Sequence, residues 1–159
     1  MGVALYRVDD RLVHGQVVIG WGRPLGAHFI VLIDPGVRAS AWEQDLYRMA
    51  VPEGVDVVFA DVDEAVVLLP DWEADRRTGI VLTGDLETMA ALHAARPDLV
   101  RRINLGGIHH RGDRTEHLRY LYLAPDEELL LRQLVVAGAD VTAQDLPTTP
   151  AVPLEEILP

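Results

Sequence analysis

The stretch Phe29-Ile-Val-Leu-Ile33 is an uninterrupted apolar run that ends at a polar residue, Asp34. Such a run is typical of a strand that is buried on both faces, as in a parallel sheet covered by helices. Similar short apolar segments alternate with longer segments of helical periodicity along the chain. This alternation predicts an α/β fold with an open, mostly parallel, twisted sheet and helices on both faces.

The apolar runs and the Gly, Pro and capping residues between them predict the individual elements. The expected strands lie at 3–8, 29–33, 55–59, 80–82, 102–105 and 140–144, with a possible edge strand at 119–123. The expected helices lie at 15–21, 40–49, 62–69, 85–95 and 125–138. Ser40 and Glu43 have the spacing of a capping box, and Pro70 is expected to end the third helix. The sheet therefore has about six or seven strands and is mixed only at its edge.

Length and composition restrict the possible functions. The 159 residues predict one domain (1–159), with a core over about 3–147 and a proline-rich tail over 147–159. The 14 basic and 25 acidic side chains give a net charge of −11, which argues against binding nucleic acid or anionic lipid through bulk charge. The chain has no cysteine and no lysine, so thiol chemistry, a P-loop and a receiver-type phosphoacceptor site are excluded. With no signal peptide and no apolar run of membrane-spanning length, we expect a cytoplasmic domain.

The most distinctive polar stretch is Arg7-Val-Asp-Asp-Arg-Leu-Val-His-Gly-Gln16, which joins the first strand to the first helix. Ligands of open α/β sheets bind beyond the carboxyl ends of the strands, where this stretch and the loops 34–38 and 106–114 are expected. His14 directly precedes a helical turn whose backbone N–H groups favour an anion. Gly15 allows the close approach of a bulky group, and Arg11 can present its guanidinium to phosphate oxygens.

A histidine between anion-binding amides and a guanidinium has the surroundings that a phosphohistidine needs. The residue types alone leave a second interpretation open. In that interpretation His14 only caps the helix, and the neighbouring Asp and Arg residues are solvated loop charges.

The stretch 7–16, here termed the acceptor loop, resembles the active-site loop of the IIB components of the bacterial phosphotransferase system (PTS), in the mannose/fructose/sorbose group. Other similarities follow in the order of that family: Met49-Ala-Val-Pro-Glu-Gly-Val55, Ile103-Asn-Leu-Gly-Gly-Ile108, and Leu146-Pro147. The resemblance covers about residues 3–147. It departs from the family at Leu82-Thr-Gly-Asp85, where many relatives have Phe-Lys/Thr-Asn/Thr-Pro.

The resemblance implies a sugar phosphotransferase of the EC 2.7.1 type that needs no cofactor and no metal. His14 would accept a phosphoryl group on Nδ1 from the phosphohistidine of a separate IIA protein. It would pass the group to a sugar held by membrane IIC/IID components, with which the protein would associate at the inner face of the membrane. Arg11 would clamp the phosphoryl oxygens, while Asp9 and Asp10 would fix Arg11 and the loop. The residues expected close to the phosphoryl group are Arg7, Gly15, Gln16, Gly106 and Gly107.

Several points stay open at this level. A regulatory IIB-like module, which accepts phosphate or binds IIA without a cognate transporter, is the alternative function. Gly106 and Gly107 are expected to let the backbone turn near the site, and His109 and His110 could line it or contact IIA. A positive patch is expected to attract the phosphorylated partner, formed by Arg7, Arg11, Arg111 and Arg114. The sugar and the oligomeric state are not predicted.

Overall fold

Strands and helices alternate along most of the chain in the computed structural model, which describes residues 2–159. The strands are β1 (Gly2–Val8), β2 (Ala27–Ile33), β3 (Asp56–Ala60), β4 (Thr78–Thr83), β5 (Arg102–Leu105), β6 (Thr115–Leu118), β7 (Leu121–Leu123), β8 (Asp140–Ala143) and β9 (Val152–Pro153). The helices are a π-helical segment (Gln16–Trp21) continued by α1 (Gly22–Leu25), then α2 (Pro35–Arg38), α3 (Ala41–Met49), α4 (Val62–Ala74), α5 (Leu86–Ala95), α6 (Pro125–Val136) and α7 (Leu154–Ile157).

One seven-stranded sheet carries the fold, in the order β3-β2-β4-β1-β5-β8-β9. Its neighbouring strands are parallel except for β8 and β9, which confirms the predicted mostly parallel sheet with a mixed edge. β1 lies at the centre, between β4 and β5. The loop after β1 therefore emerges in the middle of the carboxyl edge, where open α/β sheets bind their ligands.

Apolar side chains cover both faces of this sheet. The run at 29–33 divides between them, as the two-residue period of a strand requires. Phe29, Val31 and Ile33 pack into the cluster that includes α4, α5 and α6. Ile30 and Leu32 pack into a second cluster, with Val17 and Trp21 of the π-helical segment. The prediction of helices on both faces is confirmed.

Two predicted features of the helices are wrong. Pro70 does not end its helix, because α4 continues to Ala74. Proline removes one helical hydrogen bond, but the turn that follows Pro70 buries Trp72 against the core. At α3 the predicted capping box is absent, since the Ser40 side chain makes no capping hydrogen bond.

Two predicted boundaries in the last third of the chain are also wrong. The segment 119–123 is not an edge strand of the main sheet: β6 and β7 pair with each other as a separate antiparallel hairpin. The proline-rich tail is not outside the core, because β9 pairs with β8 and the side chains of Leu154, Ile157 and Leu158 are buried. Burial of these apolar residues folds the tail back onto the sheet, so the core extends past residue 147.

Candidate active site

Asp9 organises the loop that follows β1. It is fully buried, and its carboxylate accepts hydrogen bonds from the backbone N–H, Nε and Nη2 of Arg11, each at 3.2 Å. Oδ2 of Asp9 also lies 3.4 Å from Nη2 of Arg7. Burial alone would raise the pKa of the Asp9 carboxyl, but the hydrogen bond from Arg11 and the charges of Arg7 and His14 lower this pKa below its usual value. Asp9 therefore stays ionised and holds Arg11 in place.

The guanidinium of Arg11 is anchored on one side and open on the other. Nε and Nη2 are bound to Asp9, while 37% of the side-chain surface is exposed. A guanidinium has five N–H donors in a rigid plane, so donors remain for an anion. The structure brings Arg11 and Asp9 together as the sequence predicts.

His14 lies at the start of the π-helical segment with 19% of its side chain exposed. Its Nδ1 is 2.7 Å from the carbonyl oxygen of Leu12, and its Nε2 is 3.9 Å from Oδ2 of Asp9. Because a carbonyl oxygen only accepts hydrogen bonds, Nδ1 carries a proton in this arrangement. Nε2 is buried and has no hydrogen-bond partner within residues 2–159. In this conformation neither nitrogen presents a lone pair to solvent.

An unusual backbone conformation aims the Leu12 carbonyl at His14. Leu12 has a φ of +61°, in the left-handed region that bulky L-residues rarely adopt. Its N–H donates to the carbonyl of Asp9 at 3.0 Å, which closes a tight turn. Its side chain packs so closely on Gly84 that a Cβ there would stand 2.7 Å from Cδ2 of Leu12. Backbone strain of this kind persists only where the surrounding contacts enforce it.

The predicted helix at 15–21 is present, but it is π-helical over Gln16–Trp21 and continues as α1. It ends at Gly26, whose φ of +67° is suited to a glycine. Segments of π-helix are rare and frequently occur at functional sites. A Cβ on Gly15 would meet no atom within 4 Å apart from its chain neighbours and the helix backbone, so the space beside Gly15 is open.

Arg7 lies beneath the loop, fully buried. Its guanidinium donates to the side-chain oxygen of Asn104 and to the carbonyls of Gln144, at 2.8 Å, and Asp145, at 3.1 Å. Burial lowers the pKa of Arg7 below its usual value. Because Arg7 joins the ends of β1, β5 and β8 inside the protein, its predicted place in an exposed positive patch is wrong, and it reaches the site only through Asp9.

Gly106 and Gly107 provide space for charged side chains. A Cβ on Gly106 would stand 2.3 Å from Nη2 of Arg7 and 2.5 Å from its Cζ. A Cβ on Gly107 would stand 3.0 Å from Cε1 of His109, 3.2 Å from Oδ1 of Asp9 and 3.3 Å from Nη2 of Arg11. Neither glycine has a φ in the left-handed region. What the structure shows of these glycines is the space that they leave for neighbouring side chains, and neither makes a left-handed turn.

We expect Gly106→Ala to lower the free energy of unfolding by about 2 kcal/mol, because the added methyl group overpacks the buried guanidinium. Urea denaturation followed by circular dichroism measures this loss. Gly15→Ala is the matched control, since its methyl group enters open space. Similar losses in both variants would show that the crowding of Arg7 is not the cause.

Asp10 joins the acceptor loop to the loop after β5. Its backbone N–H donates to the carbonyl of Gly107 at 2.8 Å. Its Oδ2 accepts the backbone N–H of His109 at 2.8 Å, and its Oδ1 lies 2.7 Å from Nδ1 of His109. The expectation that Asp10 fixes Arg11 is therefore corrected: Asp9 binds Arg11, and Asp10 binds His109. The neighbouring His110 packs edge-on against Tyr122, with ring centroids 5.7 Å apart.

The positive patch is smaller than the sequence predicts. Arg11 and Arg111 are exposed. The side chain of Arg114 is only 11% exposed and binds both carboxylate oxygens of Glu127, at 2.8 and 3.1 Å. With Arg7 buried as well, only Arg11 and Arg111 of the four arginines are exposed.

Asp145, two residues after β8, contacts residues of the site, and no sequence pattern reveals this. Its carboxylate accepts a hydrogen bond from Nε2 of Gln16 at 2.7 Å, and its carbonyl accepts one from Nε1 of Trp21 at 3.0 Å. Gln16, expected close to the phosphoryl group, thus uses its amide nitrogen to hold the π-helical segment against β8. Ligands of open α/β sheets bind beyond the carboxyl ends of the strands. This generalisation indicates Asp145 only once β8 is known to lie beside β5.

Comparison with known proteins agrees with the resemblance of the acceptor loop. The family model described as PTS system sorbose subfamily IIB component matches residues 3–159. A probable phosphotransferase enzyme IIB component from Streptococcus pyogenes is 30% identical over an alignment of 158 positions that covers 96% of each chain. The N-acetylgalactosamine-specific phosphotransferase enzyme IIB component 2 of Escherichia coli is 25% identical over 156 residues, 98% of each chain.

Solved structures show the same fold. The crystal structure of the IIBSor domain of the sorbose permease from Klebsiella pneumoniae superposes with a TM-score of 0.88 at 23% identity, over 99% of this chain and 96% of that chain. Together with the family match over almost the whole length, this places the chain among the sorbose-subfamily IIB components of the phosphotransferase system, which are sugar phosphotransferases.

Proposed function

We propose that this protein is a phosphocarrier in which His14 accepts a phosphoryl group from a separate IIA protein and delivers it to a sugar at IIC/IID components. IIB components work within such systems, with IIA and IIC/IID partners. The observation that carries the proposal is the cluster at the carboxyl edge of the sheet. There the Asp9 carboxylate lies between His14, at 3.9 Å, and the half-exposed guanidinium of Arg11, at 3.2 Å.

The transfer step breaks the N–P bond of the donor phosphohistidine and forms a new N–P bond at His14. Such a step demands mainly positioning and charge stabilisation from the protein. A small turn of the ring, which draws Nδ1 away from Leu12 and Nε2 towards Asp9, prepares the nucleophile. Nδ1 then loses its proton to solvent and Nε2 takes one up from solvent, so that Nε2–H donates a hydrogen bond to the ionised Asp9 and Nδ1 presents its lone pair.

Arg11 stabilises the negative charge on the oxygens of the phosphoryl group during its transfer. Its free N–H donors form charge-assisted hydrogen bonds, which are stronger than those between neutral groups. Asp9 fixes the guanidinium in advance, so little reorganisation is needed when the donor arrives. Backbone N–H groups of the first helical turn after His14 add to the anion-binding surface.

The proposed place of action is the cytoplasmic face of the membrane, which the protein would reach through IIC/IID. Within residues 2–159, none of the helices has the length and apolar character needed to cross a bilayer. The regulatory alternative is not favoured, because the matched relatives include IIB components of sugar-specific systems.

Intact-protein mass spectrometry tests the proposal. The protein is incubated with phosphoenolpyruvate, enzyme I, HPr and a IIA protein, and its mass is compared with that of His14→Ala. We expect one acid-labile phosphoryl group on the wild-type protein and none on the variant. Absence of labelling, while IIA in the same tube is phosphorylated, would refute a phosphocarrier function.

A further inference from the structure

His109 is attached to the acceptor loop at two points, although it belongs to the loop after β5. Its backbone N–H donates to Oδ2 of Asp10 at 2.8 Å, and its Nδ1 lies 2.7 Å from Oδ1 of the same carboxylate. A carboxylate only accepts, so Nδ1 carries a proton and Nε2 is the outer nitrogen of the ring. Both oxygens of Asp10 are thereby committed to His109.

His109 is itself held from the opposite side. Its carbonyl accepts a hydrogen bond from Nη1 of Arg114 at 2.9 Å, and Arg114 is bound through two oxygens to Glu127 of α6. Glu127 is buried, with 5% of its surface exposed. A continuous series of charge-assisted contacts therefore runs from a buried anchor on α6, through His109, to Asp10 in the acceptor loop.

The contacts of Asp10 hold the turn over residues 9–12, which has a strained backbone. Leu12, two residues after Asp10, has the φ of +61° that aims its carbonyl at Nδ1 of His14. Strained backbone is retained only when other contacts over-determine it. The hydrogen bond between Leu12 and Asp9 lies within the turn itself, whereas the contacts of Asp10 tie the turn to a neighbouring strand end.

From this arrangement we propose that His109 is a positioning residue: through Nδ1 and Asp10 it holds the strained turn that orients His14 and Arg11. The inference rests on the proposed function for its kinetic consequence, but not for its structural one. Cε1 of His109 and Nη2 of Arg11 lie 3.0 and 3.3 Å from the point where a Cβ on Gly107 would stand, so the His109 ring and the guanidinium both lie close to Gly107.

Replacing His109 with Asn or Gln distinguishes the contribution of its Nδ1 from that of its Nε2. The amide nitrogen of His109→Asn occupies roughly the place of Nδ1 and can still donate to Asp10. The amide nitrogen of His109→Gln occupies roughly the place of Nε2 and leaves Asp10 without its side-chain donor. His109→Ala removes both nitrogens. His28→Ala is the control, because His28 is an exposed histidine of β2 at the opposite end of the sheet.

Rapid-quench transfer from phospho-IIA gives the kinetic readout. We expect His109→Ala and His109→Gln to lower kcat by roughly ten- to a hundredfold, since small misplacements of reacting groups have effects of this size. The KM for phospho-IIA should stay unchanged. His109→Asn should stay close to the wild-type rate, and His28→Ala should match it. Because the His109 side chain is 52% exposed, the variants are expected to fold, which circular dichroism checks.

Nitrogen-15 NMR of unphosphorylated His14 gives a readout that does not depend on phosphoryl transfer. We expect the hydrogen-bonded Nδ1–H signal of His14 in the wild type and in His109→Asn, and its loss or displacement in His109→Ala. An unchanged His14 signal in His109→Ala, or rescue of transfer by Gln but not by Asn, would overturn the positioning role. If the wild type accepts no phosphoryl group, the proposed function fails while the NMR comparison still decides this inference.

Discussion

Replacing Arg11 with alanine is expected to slow phosphoryl transfer from phospho-IIA to His14 by roughly 10²- to 10³-fold, the effect of removing one preorganised donor of a transition-state anion site. Nε and Nη2 of Arg11 are fixed to Asp9, and the rest of the guanidinium is open towards the approaching phosphoryl group. Alanine removes the charge, the donors and one of the groups that orient Asp9.

Rapid-quench kinetics of Arg11→Ala and Arg11→Lys measure this effect. Lysine restores the charge but has no planar fork, so it cannot bind both oxygens of Asp9 and still face the phosphoryl group. We therefore expect Arg11→Lys to transfer at a rate between those of the wild type and Arg11→Ala. Arg111→Ala, at an exposed arginine outside the Asp9 cluster, is the control for bulk charge. Wild-type transfer by Arg11→Ala would remove Arg11 from the site.

Replacing Arg7 with alanine is expected to cost about 3–5 kcal/mol of unfolding free energy, the typical result of removing one partner from a buried ion pair. The Arg7 guanidinium is fully buried, faces Asp9 at 3.4 Å and stacks over the ring of Trp21 at 4.9 Å. Its loss removes the donor to the side-chain oxygen of Asn104 and to the carbonyl of Gln144, and opens a cavity beneath the acceptor loop.

Urea denaturation at neutral pH measures the loss in Arg7→Ala. Arg38→Ala is the matched control, because Arg38 forms an exposed ion pair with Glu64 at 2.9 Å, a kind of pair that contributes little. Similar losses in the two variants would contradict the role assigned to the buried guanidinium.

The Arg7→Ala effect should also depend on pH. The pKa of Asp9 is lower in the folded protein than its usual value of about 3.9, so its ionised form stabilises the fold above that pH. This contribution is lost as the pH falls through the lower, folded-state pKa. We therefore expect the difference between the wild type and Arg7→Ala to shrink as the pH is lowered below about 4. A constant difference across this range would show that Asp9 is not the group that Arg7 stabilises.

Local patterns predict most of the sheet and one part of the site. The apolar run at 29–33 needs no distant partner to indicate a strand buried on both faces, and its side chains do divide between two cores. The acceptor loop can be identified because its residues are consecutive in the chain. The link between Asp9 and Arg11 follows from a separation of two residues, which lets one side chain reach the other.

Contacts between distant segments could not be predicted in this way. Asp145 reaches Gln16, and His109 reaches Asp10, only because β8, β5 and β1 lie side by side. The order of strands in a sheet depends on how whole helices pack, which no short pattern encodes. The motif at 7–16 indicates that Arg7 lies near the site. It does not indicate that Arg7 is buried, because this burial depends on distant segments of the chain.

The amino-acid sequence by itself determined the α/β class, the parallel sheet and the histidine loop at its carboxyl edge, because periodicity and short spacings act within single elements. Only the tertiary structure decided what each charge in that loop does. Burial turned Arg7 into a structural cation, Asp10 became the partner of His109, and a left-handed Leu12 placed a carbonyl against His14. Burial, ion pairing and backbone strain arise where separate segments pack together, so they exist only in the folded chain.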